Sequence, residues 1–395
     1  MNIQPFYIIP LLIKQPTWGG SYIVETKQLL DPILRGLRIG QSYELSSDSR
    51  VSTDPATQDC FILTDSGLAE AQQFGPSTEN YDLQSIVMMD PVAILGEAWA
   101  KKEPNLTLLI KFNQAKNNSY QVHIRPGNEF HGWQAKPETW YYLEDGKATL
   151  GLKQGVDVAE YKRCCVEIDA FSRDISRQIK EEELDVASAR EQLATFIEEH
   201  SPRQFVNSVA VPRGSVVNLW EGGVHHSWEA DESLPHGNIV FEVQLSVKDE
   251  RSTLRSFDQG NIKDTGDVRP LHIEDYFQAI NTSPLDNSPE KLVTQPQGHS
   301  DGAVNLTNLC ITPYYQMQKI EFASPGSTTR ETASFHHIYV HDGEARIEWR
   351  DQTFDIKSGR SMFIPAACGK YILSSTTGGV ILETTLPPIE DAPSE

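Results

Sequence analysis

Gln121-Val122-His123, followed by Lys136-Pro137-Glu138-Thr139-Trp140 and Gly146, is the stretch around which the 395-residue sequence organises. On an extended strand, residues two apart point to the same side, so Gln121 and His123 share a face. Glu138 opens an apolar run to Leu143, and a Glu144-Asp145-Gly146 turn leads into Ala148 to Leu152. That pattern predicts a β-hairpin whose first residue can meet the Gln121 and His123 face. Further on, Gly214 is followed after five residues by Trp220-Glu221-Gly222-Gly223-Val224-His225.

Outward from these segments, most of the chain reads as short strands between Gly, Asp and Asn turns. Ile239, Phe241, Val243 and Leu245 alternate with Val240, Glu242, Gln244 and Ser246, which predicts a strand with one apolar and one largely polar face. A polar face turned into a barrel is costly unless it lines a site. Helical spacing is predicted from about Tyr81 to Lys102 and from about Asp174 to Glu199, the latter stopping at Ser201-Pro202. Between Ala279 and Asn308 the composition turns to Asn, Ser, Pro, Gln, Gly and Asp, as in a linker. Strands then resume with Phe335 to Val340, a His341-Asp342-Gly343 turn, Ala345 to Trp349 and Ser361 to Ile364, repeating the hairpin logic. The expectation is a mainly β chain of two barrels with a helical insertion. Residues 1–165 and 204–285 form the first barrel, 166–203 the insertion and 300–395 the second barrel.

Lys+Arg of 34 against Asp+Glu of 55 gives a net charge of −21. Nucleic acid and anionic membrane surfaces repel such a chain, so neither is expected as a partner. The opening MNIQPFYIIPLLIK is too short to span a bilayer and lacks the basic start of a secretory signal. Five scattered cysteines, with Cys164 and Cys165 adjacent, fit reduced thiols of a cytoplasmic protein. Oligomeric state is left open.

The two leading segments resemble the paired motifs of the cupins. The second cupin motif runs Gly, five residues, Pro, any residue, Gly, two residues, His. Gly214, Gly222 and His225 keep every spacing, with Trp220 in place of the proline. The resemblance makes His225 a ligand and His226 its outward neighbour, completing a set of Gln121, His123, Glu138 and His225. An amide oxygen, two imidazoles and a carboxylate suit one zinc ion per chain, with room for water or substrate. A lone histidine in a strand is more often structural; four suitable residues at these spacings reverse that. In the second half Gly359 and Pro365 keep the frame, but Ala367 replaces the glycine and Lys370 stands at the histidine position. Thr329 and Glu331 stand where a His-x-His pair would be, and His336 falls near the glutamate position. The second barrel is therefore expected to lack metal, with His336 and His337 as packing or surface residues.

Over nearly its whole length the chain resembles the type I phosphomannose isomerases. Pro16-Thr17-Trp18-Gly19-Gly20 is similar to that family's Trp-Gly-Gly opening, and Ile39-Gly40-Gln41-Ser42-Tyr43-Glu44-Leu45-Ser46 to its Gly-Glu-Ser-Trp-Glu segment. Ser119-Tyr120-Gln121-Val122-His123 resembles in part Leu-Ser-Val-Gln-Val-His-Pro, and Lys136-Pro137-Glu138 matches Lys-Pro-Glu. Phe241-Glu242-Val243-Gln244 matches Tyr-Glu-Ile-Gln. Thr253-Leu254-Arg255 with Phe257-Asp258 resembles Thr-Tyr-Arg followed by Tyr-Asp, and Arg269-Pro270-Leu271-His272 resembles Arg-Glu-Leu-His. Each is weak alone; their shared order is specific. Gln41 departs from an acidic residue, Ile124 from a proline, and extra residues intrude between Ser246 and Thr253.

The resemblance implies a zinc-dependent isomerase interconverting mannose 6-phosphate and fructose 6-phosphate through an enediolate. Such a site needs a base for the proton shared by C1 and C2, and a positive centre for the oxyanion, which zinc can supply. Glu242 is the candidate base and Lys136 its competitor. The plainer roles are a partner of a metal histidine for Glu242 and an ion pair with Glu138 for Lys136. Arg255 has the planar fork that suits phosphate or sugar oxygens; Lys111 and Ser119 could add an ammonium and a hydroxyl. Trp18 and Glu44 join the substrate-binding group, Trp18 as a wall. Other readings stay open: an isomerase or epimerase of a different or unphosphorylated sugar, a non-catalytic sugar-binding cupin, and an iron cupin oxygenase. The glutamine ligand and the Lys-Pro-Glu and Phe-Glu-Val-Gln segments favour the isomerase.

Overall fold

The computed structural model describes residues 3–389 apart from 16–17, 30, 55–59, 65–66, 75–78, 229–230 and 324. Pro16 and Thr17 of the opening motif, and the two ends of the expected barrel spans, lie outside the described residues.

Among the described residues three sheets build the molecule, and the fold is mainly β, as expected. A nine-stranded sheet has at its centre Glu138–Tyr142, Asn238–Leu245, Leu108–Ala115 and Ile39–Leu45, in that spatial order. A five-stranded sheet orders Val206–Val211, Gly146–Leu152, His225–Ser227, Tyr120–Val122 and Leu254–Phe257. Residues of both line one cavity. The Asn238–Leu245 strand alternates as predicted: Ile239, Phe241 and Val243 join the apolar core, while Val240, Glu242 and Gln244 face the cavity.

The third sheet, of twelve strands, carries the second barrel, and it reaches further than the expected boundary. Phe6–Ile9 pairs with Ser361–Ile364, placing Phe6 beside Phe363, and Arg50–Ser52 pairs on its other side. The N-terminal segment thus stitches the two barrels together. At this seam Lys27 and Glu44 are fully buried, their charges 2.7 Å apart. Ser42 and Ser361 each donate to the Glu44 carboxylate, at 2.6 and 2.7 Å. Glu44, grouped with the substrate residues on resemblance, is therefore a seam residue and does not line the cavity.

The two predicted hairpins are corners instead. Glu138–Tyr142 and Gly146–Leu152 do not pair with each other but run in different sheets. His336–Trp349 is one continuous strand, irregular between Val340 and Asp342, whose halves pair with different partners. In a closed β-sandwich, strands change sheet at such bends. An Asp-Gly turn signal marks the bend but cannot say which partner follows.

Two helices, Val158–Lys180 and Val186–His200, cover the five-stranded sheet. Tyr161, Cys165, Ile168, Ile175, Leu193 and Ile197 pack there with Val122, Leu254 and Phe257. The first helix starts well before the expected Asp174 because Asp157 caps it, accepting from the Ala159 and Glu160 amides. The Tyr81–Lys102 segment breaks into three short helices, with Pro91 opening the second under an Asp90 cap. The supposed linker is partly ordered by buried asparagines: Asn287 accepts from the Leu152 amide and donates to the Asn281 and Ser283 carbonyls. No helix of the described residues is long and apolar enough to cross a membrane.

In the second barrel the inward register differs by one residue from the expected frame. Thr329, Glu331 and Lys370 point outward, and Glu331 and Lys370 pair at 3.7 Å while well exposed. The inward positions are Arg330, His336, Tyr371 and Glu383. Arg330 grips the Glu383 carboxylate, whose other contacts are His336 at 3.0 Å and Tyr371 at 3.2 Å. His336 is thus a network residue, while His337 stacks on Phe241. Burial opposes ionisation of Glu383, but His336 and Arg330 outweigh it and hold the carboxyl at about 2 against an ordinary 4.5. A carboxyl held down in the folded state stabilises above its ordinary pKa and loses that stabilisation as pH falls toward the lowered one. Urea denaturation should therefore show wild type exceeding Glu383→Gln at neutral pH, the excess shrinking by about 3 kcal/mol between pH 4.5 and 2.

Candidate active site

The ladder registers bring the polar residues into one place. Gln121 lies across from His225 on one side and Arg255 on the other. Trp140 lies across from Glu242, and Glu242 across from Lys111 one strand further. The resulting cavity holds about 650 Å³, in the range of small-molecule sites. Gln121, Glu138, Lys136, Lys111, Ser119, Glu242, Arg255 and Trp18 all line it. Trp18 reaches the wall because Gly40 leaves room for it: a Cβ there would lie 2.5 Å from the indole. Gly19, at φ 94°, backs onto Gly40 in turn, so the Trp-Gly-Gly opening and the Ile39–Ser46 segment fit each other.

His123, Glu138 and His225 are buried, and each offers a donor atom within 4.8 Å of the others. His123 Nδ1 lies 2.9 Å from the Ser252 carbonyl, a contact in which the nitrogen must donate, so Nε2 meets Glu138 Oε2 at 3.0 Å. His225 Nδ1 lies 3.2 Å from the Gly223 carbonyl, while its Nε2 is buried with no hydrogen-bond partner. Burial, with His123 alongside, pushes the His225 imidazole down to about 3, so the ring is neutral at ordinary pH. An orphaned imidazole nitrogen beside a second one and a carboxylate is a donor set that fits zinc. Gln121, across the ladder from His225, could add its amide oxygen. Among the described residues no other such trio converges.

The surroundings hold these donors in a binding state. Burial would raise the Glu138 pKa, but Lys136 at 3.2 Å, His123 and Lys111 keep its carboxyl well below the usual range. Trp140 Nε1 donates to the other Glu138 oxygen at 2.5 Å. Glu242 is gripped from both sides, by Lys111 Nζ at 2.8 Å and Asn113 Nδ2 at 2.6 Å. Gln41, one of the departures from the family pattern, donates to Asn113 at 3.0 Å and so reaches Glu242 through it.

One member of the site was missed in sequence. Asp249 sits within the extra residues between Ser246 and Thr253 and ion-pairs with Arg255. It also accepts from Thr253 Oγ1 at 2.6 Å and lies 3.9 Å from Lys136. The intrusion itself was the available signal, but an acid in an irregular loop has no periodicity to betray its direction.

Residues 305–382 match the model of the mannose-6-phosphate isomerase cupin domain family. They fall in the second barrel, away from the zinc-type donors. The whole chain superposes on the mannose 6-phosphate isomerase of Bacillus subtilis with a TM-score of 0.64, covering 96% of this chain and 99% of that one at 15% identity. The Salmonella typhimurium enzyme bound to its substrate fructose 6-phosphate and to zinc gives 0.65, with 98% and 100% coverage and 13% identity. The fold is that of the type I mannose-6-phosphate isomerases. A further zinc-bound mannose 6-phosphate isomerase gives 0.65 at 14% identity, with 98% and 100% coverage. No curated protein matches the sequence significantly. Identities this low establish the shared fold, and the chemistry has to be argued from this cavity.

Trp140→Phe removes the indole donor to Glu138 while keeping an aromatic ring in place. Zinc affinity by equilibrium dialysis should fall roughly tenfold to a hundredfold, the scale for partners of ligand residues, with the thermal melt of metal-free protein little changed.

Proposed function

We propose that this chain is a zinc-dependent aldose–ketose isomerase that interconverts mannose 6-phosphate and fructose 6-phosphate. The observation that carries the reading is the buried donor set of His123, Glu138 and His225, whose Glu138 lines one cavity with the gripped carboxylate of Glu242. Gln121, His123, Glu138 and His225 would hold a single zinc ion. When bound, zinc supplies Lewis-acid stabilisation of the oxyanion that develops at C1 and C2.

Glu242 takes the proton from C2 of the aldose and returns it to C1 of the enediolate, giving the ketose. Lys111 and Asn113 fix its two oxygens, so the carboxylate is held in one orientation. Lys136, the competing base, is engaged with Glu138 at 3.2 Å and is better placed to hold that carboxylate than to move a proton. Arg255 and Ser119 would receive the phosphate, with Trp18 walling the sugar. Five cysteines, none of them in a disulfide, suit a cytoplasmic setting. A second reading, isomerisation of an unphosphorylated sugar, is favoured by one observation: Lys111 and Arg255 are already paired with carboxylates.

Glu242→Gln keeps shape and removes the base. Isomerisation should fall roughly a hundredfold to ten-thousandfold, zinc content should stay near one equivalent, and solvent deuterium should stop entering C1 and C2. Loss of zinc along with activity would instead make Glu242 a metal-site residue. Wild-type protein that binds hexose phosphate yet shows neither turnover nor exchange would be a sugar-binding cupin.

A further inference from the structure

The cavity wall is rich in charge, yet its buried cations already have partners. Lys111 is committed to Glu242 and Lys136 to Glu138, while half-exposed Arg269 lies 3.4 Å from Asp258. Lys248 stands exposed at the rim. Arg255 is the decisive case, because a guanidinium fork is the side chain best matched to a phosphate. Its Nη2 is taken by Asp249, its Nη1 donates to the Thr253 carbonyl at 3.2 Å, and its buried Nε has no partner.

Asp249 has a side open to solvent. It lies on a single helical turn, Asp249–Arg251, with 60% of its side chain exposed, whereas that of Arg255 is 9% exposed. The carboxylate is tethered beside the guanidinium, so its effective concentration there is far above that of any free anion. A substrate's anionic group can take Nη2 only by displacing that carboxylate.

We propose that Asp249 is a specificity-determining residue, whose tethered carboxylate competes with the substrate's anionic group for Arg255 and shifts the cavity's preference toward uncharged sugar ends. Selectivity of this kind comes from an element that opposes one ligand as well as from contacts that favour another. The inference rests on the isomerase reading only in treating the cavity as a sugar site.

The test uses zinc-loaded protein and two unreactive hexitols, sorbitol and sorbitol 6-phosphate, titrated by calorimetry. Wild type should favour the phosphorylated hexitol only modestly. Asp249→Asn keeps the acceptor for Thr253 and removes the charge; it should bind sorbitol 6-phosphate at least about tenfold more tightly and sorbitol within about twofold of wild type, the scale of removing a competing charge. Adding Arg255→Ala to Asp249→Asn should abolish the gain. Unchanged or weaker binding of sorbitol 6-phosphate by Asp249→Asn, with sorbitol binding intact, would overturn the proposal and make Asp249 a brace for Arg255. Asp249→Ala provides the same comparison if the asparagine variant fails to fold. Because the hexitols do not turn over, a failed isomerase assay and a failed competition assay are separate results.

Discussion

A buried imidazole nitrogen without a partner, facing a second imidazole and a carboxylate, is the constraint on which the first barrel turns. Burying unpaired polar atoms costs several kcal/mol unless a cation or proton joins them. His123 and His225 both turn Nδ1 to backbone carbonyls, which commits their Nε2 atoms to the same spot. Those carbonyls, Ser252 and Gly223, belong to loops, so the loops between strands act as the frame that aims the rings. Lys136 and Trp140 do the same for Glu138. The apolar half of the Asn238–Leu245 strand, packed into the core, fixes Glu242 on the opposite face, toward the cavity.

The second barrel shows the alternative solution to the same problem. Its lumen also gathers a histidine and a buried carboxylate, but the positive charge is the guanidinium of Arg330, supplied by the chain itself. A barrel filled this way needs no ion, and its network of Arg330, Glu383, His336 and Tyr371 can serve packing. It also provides the sheet to which the N-terminal strand Phe6–Ile9 attaches, so the second barrel anchors the first. The buried Lys27 and Glu44 pair crosses that seam, with the Lys27 ammonium donating to the Gly359 carbonyl of the second barrel. Removing either charge would leave the other buried and unpaired.

What could be read from sequence followed from period and spacing. Alternation placed Glu242 and Gln244 on the cavity side and Ile239, Phe241 and Val243 in the core, and of the i, i+2 pair His123 fell among the converging donors, with Gln121 across the ladder from His225. Spacing could not tell a hairpin from a corner: Glu144 to Gly146 gives the same turn signal in both. Nor could it set the inward register near Arg330, since an alternating polar strand such as Gly326–Glu331 reads alike on both faces. Glu44 shows the limit of resemblance, because its neighbours Gly40 and Gln41 do meet the cavity's residues while its own side chain turns to the seam. Asp249 was legible only as an irregularity in chain length.

The same pairing of charges governs how the cavity can select a ligand. At a net charge of −21 the chain repels an anionic sugar at long range, so steering toward the site contributes little to capture. Within the cavity, the ion pairs of Lys111 with Glu242 and Arg255 with Asp249 leave little field for an anion to enter. Capture of a phosphate must then proceed by exchange of partners at contact distance. The two pairs differ in what exchange would cost. Glu242 is buried, with both oxygens held, so displacing it breaks two hydrogen bonds at once. Asp249 has water on its open side. Exchange at Arg255 therefore leaves Glu242 in place, whereas exchange at Lys111 would release it, and of the two buried pairs the one at Arg255 yields more easily to a charged group.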